Sequence, residues 1–451
     1  MKSMCNNYSR LFIILTWLSF YCSNCFSLPH YTIEDPTDNP KKLWLFNFGK
    51  ENSETKGIAI NDIIKYSRER GYGFDFNTAK NINLKAEGFE AINPVYFSIE
   101  LPEGNYKVTV KLGSFQKTTN TTIKAESRRL MLKELSLKKG ETIDTSFNVS
   151  LRNKKIDDLN EVNLKEREKA ELNWDEKLTI EFLGEVAVKQ IKIAKIDTIA
   201  TLFLAGDSTV TDQDLEPWAS WGQFITNYLN ENIIVANYAS SGASLSSFKS
   251  SKRLDKILSL LKNGDYVLIQ FAHNDEKQKG KGIGPWQSYS NLLKEFAISI
   301  KQKGGIPIFL TPVQRRFFNS EGILKSTHGE YPSAMRKTAE DIDVKLIDLT
   351  EMTTKMYEAW GIEDSKIAFV QYPANTFPGQ TEDLKDNTHF NSFGANEIAL
   401  CIIQYLKDEK FDLANFIKLT TPIYSLNNPN NYTNWTLPMS IRFNNTKPDG
   451  N

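Results

Sequence analysis

The feature that most constrains the fold is a change of period near Thr198. From about Lys42 to Ala194, short alternating runs are broken by turns: KLWLFNFG, VYFSIEL, YKVTVKLG, KLTIEFL and VAVKQIKIA. Alternation at period two, with Pro102-Glu103-Gly104-Asn105 between two of the runs, is the pattern of half-buried strands joined by tight turns. After Thr198 the runs become continuously apolar: TIATLFLAG, NIIVANYA, YVLIQFA, IPIFLTP and VKLIDL. Helical patterns lie between them, among them SKRLDKILSLL, SYSNLLKEFAISIKQK and PSAMRKTAEDI, and GANEIALCIIQYL closes the series. Continuous runs suit strands covered on both faces, and strand–helix alternation means right-handed crossovers and a mainly parallel sheet. The sequence therefore predicts an all-β sandwich over residues 40–195, an α/β domain over 199–420 and a C-terminal extension over 421–451. Two domains also suit a length of 451 residues.

The N-terminus reads as an address. Lys2 and Arg10 precede or flank the apolar run LFIILTWLSFYC, and small and polar residues follow near Ser23 to Ser27. This is the three-part pattern of a secretory signal peptide over residues 1–27, which predicts a secreted or periplasmic protein. Lipoprotein attachment through Cys22 or Cys25 fits less well, because the residues before each cysteine are unsuitable. No later stretch has the length of a membrane span. Cys5, Cys22 and Cys25 fall in the leader, so cleavage leaves Cys401 alone and rules out an internal disulfide. Lysine plus arginine, at 55, balance aspartate plus glutamate, also 55, so nothing draws the chain as a whole to nucleic acid. Asn120, Asn148, Asn431, Asn434 and Asn444 head glycosylation sequons, which matter only in a eukaryotic host. The extension carries Trp435, Met439, Ile441 and Phe443, enough apolar surface to predict that part of it packs on a domain.

Three polar motifs follow three successive predicted strands. They are Gly206-Asp207-Ser208-Thr209, Asn237-Tyr238-Ala239-Ser240-Ser241-Gly242 and Ala272-His273-Asn274-Asp275. Ligands of open α/β sheets bind outside the carboxyl ends of the strands, so the three motifs converge on one rim. A serine between a strand and a helix exposes its hydroxyl, and its N–H at a helix start favours a developing oxyanion. The Gly242 N–H and the Asn274 amide are candidate second and third donors. The base comes from a short inventory: His30, His273, His328 and His389. His389 stands three residues after Asp386, a spacing that in a turn puts both side chains on one side. His273 is expected either to contact substrate or to sit neutral within its loop. Arg315 and Arg316 are candidates to pair with a substrate carboxylate, against a structural role. Trp218 and Trp221 are candidates to line a sugar site, against a place in the core. The patterns GxGxxG, GxxxxGK[ST] and HExxH are all missing, so neither cofactor nor metal is expected.

The order GDS, Gly, Asn, DxxH resembles the four blocks of the SGNH/GDSL hydrolases. Within them the match is similar to the rhamnogalacturonan acetylesterase family. GDSTV, PWASWGQ, QFAHND, TPVQRRF, HGEYPSAMR and DNTHFN carry that narrower likeness, over about Thr201 to Lys407. The resemblance implies a flavodoxin-like three-layer α/β/α sandwich, with Ser208 as nucleophile, His389 as base and Asp386 as its orienter. It implies Ser208, Gly242 and Asn274 as oxyanion donors, and an acetylated pectic polysaccharide or oligosaccharide as substrate. One departure is Ala272, where the family usually has glycine before HND; its methyl is expected to narrow the pocket. The β unit more distantly resembles galactose-binding-like sandwiches. Two rival readings follow: a deacetylase of another glycan, such as xylan or a sialoside, and a polysaccharide-binding protein with an inactive hydrolase fold.

Overall fold

The computed structural model describes residues 43–51 and 56–449, so the leader, Cys5, Cys22 and Cys25 lie outside the described residues. Two sets of strands divide at the point where the sequence period changes. The first is a network of 11 strands between Leu43 and Lys195, nearly all antiparallel. Its centre is the 19-residue strand Lys177–Lys195. The first part of that strand pairs with Val95–Glu100 and Thr119–Ala125, and the last part with Leu43–Phe48 and Gly104–Leu112. The change of partners falls close to Gly184, at φ 90°, where a β-carbon would stand 2.4 Å from the Asn120 carbonyl oxygen. Phe46, Phe48, Phe74, Phe89 and Phe97 fill the core of this region, ring centroids 5.1–5.4 Å apart and mostly edge to face.

The second set is a five-stranded parallel sheet, in the order Ile233–Asn237, Ala200–Gly206, Tyr266–Gln270, Ile306–Leu310, Lys345–Ile347. Every neighbouring pair is parallel. Leu202, Leu204, Leu268 and Ile308 point to one apolar core, and Phe203, Ala205, Val267 and Ile269 to another. That alternation explains the continuous apolar runs, since each face must be covered. Leu349–Asp364 and Ser392–Asp408 pack on the first face. Arg253–Leu260, Ser290–Gln302 and Tyr331–Asp341 pack on the second. Cys401 is wholly buried in the first core. The chain runs from Ala200–Gly206 to a neighbour on one side and then crosses to Tyr266–Gln270 on the other. This reversal opens a crevice at the carboxyl ends of the central strands.

Buried charges tie the two sets of strands together. Arg129 reaches Asp212 at 2.6 Å, and both side chains are at most 1% exposed. Arg253 meets Glu168 at 2.6 Å, and Lys256 meets Glu103 at 2.8 Å. Removing one partner of such a pair strands the other charge, at a cost of about 3–5 kcal/mol. The C-terminal extension crosses this junction and packs on both sides of it. Trp435 packs tilted on Phe224 and edge-on to Phe393, Lys124 donates to the Pro438 carbonyl, and Arg442 forks onto Asp214. Among the described residues no helix is long and apolar enough to cross a membrane.

Candidate active site

Strand Ala200–Gly206 ends in a tight turn, closed by Val210 and Thr211 N–H groups donating to the Asp207 carbonyl at 3.1 and 3.0 Å. The turn lifts Ser208 to the crevice, and long polar side chains hold it there. Gln213 Nε2 donates to the Ser208 carbonyl at 2.8 Å and to Ser241 Oγ at 3.2 Å. Asn237 Nδ2 donates to the Val210 carbonyl and to Asp212 Oδ1, each at 2.8 Å. Gln270 Nε2 donates to Thr209 Oγ1 at 2.6 Å. Each donor sits at the end of a different strand or loop, so the sheet itself fixes the serine.

His389 Nε2 lies 2.9 Å from Ser208 Oγ, and His389 Nδ1 lies 2.8 Å from Asp386 Oδ2. Burial raises the Asp386 carboxyl, but the His389 side chain and two backbone N–H groups outweigh it and hold its pKa at about 2. Those N–H groups belong to Thr388 and His389, at 2.7 and 3.0 Å from Oδ1. An ionised carboxylate only accepts, so Nδ1–H donates to Asp386 and Nε2 is left to accept from the serine hydroxyl. The local backbone differs from the turn expected. Asp386 to His389 lie within the strand Leu384–Phe390, which pairs with Phe369–Tyr372. Pairing jumps from Phe369↔Phe390 to Gln371↔Lys385. The bulge between them puts both side chains on one side, which a regular strand at spacing three would not do.

Gly242 adopts φ 74°, the left-handed region open to glycine. Among the described residues, neither the Ser208 N–H nor the Gly242 N–H donates to a protein acceptor. Asn274 Nδ2 donates to the Ala243 carbonyl at 3.0 Å, and an amide nitrogen carries a second hydrogen for another acceptor.

The remaining expectations are redistributed. Trp221 is fully buried and donates Nε1–H to Gln270 at 2.8 Å, so it is a core residue and lines no sugar site. Trp218 instead stands edge-on to the His389 ring, centroids 5.9 Å apart. Arg316 is buried and donates to Ser365 Oγ at 2.9 Å, to Asn387 Oδ1 at 3.2 Å and to the Ile362 carbonyl. Arg315 pairs with Glu276 at 2.5 Å. Both arginines are therefore committed within the fold, because the loop after Ile306–Leu310 turns them into neighbouring segments. His273 is 1% exposed, between Asp207 at 3.4 Å and the His328 ring at 4.5 Å between centroids. Burial pulls its pKa down to about 4, against the pull of Asp207, so it sits neutral in its loop instead of reaching substrate. The Ala272 methyl is wholly buried in the second core and does not narrow the crevice.

Three residues at the crevice come from parts of the chain that carried no motif. Lys165 Nζ donates to the Ser241 carbonyl at 2.5 Å, and Arg167 donates to the same oxygen at 3.1 Å. Lys447, from the extension, approaches Asp386 Oδ2 at 3.5 Å. With the tail in place, Ser208, Asp386 and His389 are each no more than 2% exposed.

A serine, histidine and carboxylate in relay at the rim of a parallel sheet can be compared with known proteins. The family model described as GDSL-like Lipase/Acylhydrolase matches residues 202–402. Rhamnogalacturonan acetylesterase RhgT of Bacillus subtilis (strain 168) is 42% identical over 209 residues, which are 46% of this chain and 89% of that protein. Probable rhamnogalacturonan acetylesterase YesY of the same organism is 33% identical over 210 residues, 46% of this chain and 92% of that one. A longer match, 26% identical over 396 residues, covers 83% of this chain and 93% of uncharacterized esterase YxiM, also from Bacillus subtilis (strain 168). The protein is a carboxylic ester hydrolase. Within that class, the chain belongs to the GDSL-like lipase/acylhydrolase family.

Proposed function

We propose that this is an exported serine esterase that removes O-acetyl groups from pectic polysaccharide through an acyl-enzyme. The observation that carries the reading is the relay from Asp386 through His389 to Ser208, at 2.8 and 2.9 Å. In the first step Ser208 Oγ attacks the acetyl carbonyl while His389 Nε2 takes the hydroxyl proton, and Asp386 holds the imidazolium. The oxyanion rests on the Ser208 and Gly242 N–H groups and the Asn274 amide. The tetrahedral intermediate then expels the sugar oxygen, protonated by His389. Water attacks the acetyl-serine with its proton going to the same nitrogen; the bond from the acyl carbon to Ser208 Oγ then breaks, His389 returns the proton to Oγ, and acetate leaves.

The pectic substrate is supported by 42% identity to a rhamnogalacturonan acetylesterase across most of that protein. Export rests on the leader pattern of residues 1–27. The β-rich part, residues 40–195, is read as a galactose-binding-like sandwich accompanying a catalytic domain over 199–420. The test is acetate release by wild type and Ser208→Ala on acetylated rhamnogalacturonan, acetylated xylan and O-acetyl sialosides. The reading expects rhamnogalacturonan to be preferred and the variant to be inactive on all three. A preference for xylan or sialoside would overturn the pectic substrate, and an active variant would overturn the chemistry.

A further inference from the structure

A built pair of cations stands beside Gly242, and it does not come from the segments that carry the catalytic motifs. Lys165 caps the short 3-10 turn Glu166–Ala170 of the β-rich half, and Arg167 lies within it. The next residue after Arg167, Glu168, points inward and is buried. Its carboxylate accepts from Ser240 Oγ at 2.8 Å, from the Lys165 N–H at 2.8 Å and from Arg253 at 2.6 Å. That clamp ties the turn to the loop carrying Gly242 and sends its two cations to the crevice. Both donate to the Ser241 carbonyl, the residue before Gly242. Holding two like charges together is unfavourable unless an anion joins them. Burial and the adjacent Arg167 draw the Lys165 ammonium below its ordinary range, and an aspartate opposes them.

That aspartate is Asp449, near the end of the extension. Its Oδ2 lies 3.6 Å from Lys165 Nζ and 3.3 Å from Arg167 Nε. A β-carbon added to Gly242 would stand 2.8 Å from the Asp449 β-carbon, so the tail lies against the glycine. Arg442 on Asp214 anchors the start of this stretch, and Lys447 reaches Asp386. The Asp449 side chain is itself half exposed, at 53%.

We propose that Lys165 and Arg167 form a carboxylate subsite next to the oxyanion donors, taking the acid group of a uronate in the substrate, and that Asp449 occupies it until substrate displaces the tail. This rests on the reading of the chain as an acetylesterase of an acidic polysaccharide, and it names the groups that recognise the acid. It also moves the recognition from Arg315 and Arg316, which the fold consumes. Tail and substrate then compete for one pair of cations, so the tail raises KM for acidic substrates.

Calorimetric titration of the full chain with unacetylated digalacturonate tests the subsite without requiring turnover. The dimethyl ester of the same sugar and free acetate serve as parallel probes. Wild type is expected to bind digalacturonate, and to bind its dimethyl ester roughly tenfold or more weakly, the loss of a charged hydrogen bond. Arg167→Gln and Lys165→Gln are expected to weaken digalacturonate by a similar factor, and added salt to weaken it in wild type. Asp449→Asn, a change on a half-exposed tail that leaves the core untouched, is expected to tighten it severalfold. Equal affinity for digalacturonate in wild type and Asp449→Asn, or for the acid and its ester, would overturn the proposal. Acetate binding that is as tight, and as sensitive to Arg167→Gln, would overturn it in favour of a product site. Wild type that binds digalacturonate but fails to hydrolyse p-nitrophenyl acetate would sink the esterase chemistry and leave the subsite standing.

Discussion

Replacing Asp386 by asparagine changes one atom at the point where the relay is most exacting. Asp386 is 2% exposed, and its Oδ1 accepts from the Thr388 and His389 N–H groups at 2.7 and 3.0 Å. Those backbone bonds fix which end of an asparagine amide faces which way, because only its oxygen can accept them. The NH2 group is therefore placed where Oδ2 stood, 2.8 Å from His389 Nδ1. A donor there requires Nδ1 to accept, which moves the ring proton to Nε2. Nε2–H then faces Ser208 Oγ as a donor and cannot take its proton. Loss of the right tautomer at unchanged geometry costs about 10⁴ in kcat, or about 5.4 kcal/mol of transition-state stabilisation. Folding is expected to survive, since the backbone hydrogen bonds persist. The assay is kcat for p-nitrophenyl acetate on protein whose melting temperature matches wild type. A loss smaller than about tenfold would refute the tautomer argument and the role of Asp386 with it.

Two further perturbations probe the frame around the relay. Asp275 is 4% exposed, and burial pushes its carboxyl up from 3.8 to about 7, against the Leu245 N–H it accepts. Its native form keeps the proton that the unfolded chain releases, so stability is full below about pH 4 and falls as pH rises toward 7. Asp275→Asn is therefore expected to raise the melting temperature at pH 8 and leave it nearly unchanged at pH 4; an equal shift at both would contradict the assignment. Arg316→Ala removes donors to Ser365, Asn387 and the Ile362 carbonyl, at about 2–4 kcal/mol of stability. It is expected to lower kcat/KM equally for neutral ester and acidic polymer, and a loss confined to the polymer would return it to the substrate site.

The change of period at Thr198 carried the architecture because period follows directly from which faces of a strand are covered. The same local logic nominated Ser208, Gly242 and Asn274, and each does lie just past a strand of one sheet. His389 and Asp386 were legible by spacing, although the bulge opposite Phe369–Tyr372 was not, since register depends on the partner strand. Arg315 and Arg316 follow a strand of the same sheet, yet their long side chains turn to Glu276, Thr327 and Ile362, contacts 12–46 residues away in sequence. Trp221 was ambiguous for the same reason: a helix has an inner face and an outer one, and sequence alone does not say which meets the sheet. Lys165, Arg167, Lys447 and Asp449 reach the site only through tertiary packing, and no motif marks them. The one hint was the apolar content of residues 435–443, which signalled that the tail docks but not where.

The central claim is that Ser208 carries the acetyl group. It is tested most directly by acid-quenching the enzyme during turnover of p-nitrophenyl acetate and mapping the acetyl adduct by peptide mass spectrometry. The relay predicts acetyl on the peptide containing Ser208, at a level that falls as the quench is delayed past substrate exhaustion, and none in Ser208→Ala. An acetyl group on another residue, or steady turnover by Ser208→Ala with no adduct at position 208, would contradict it.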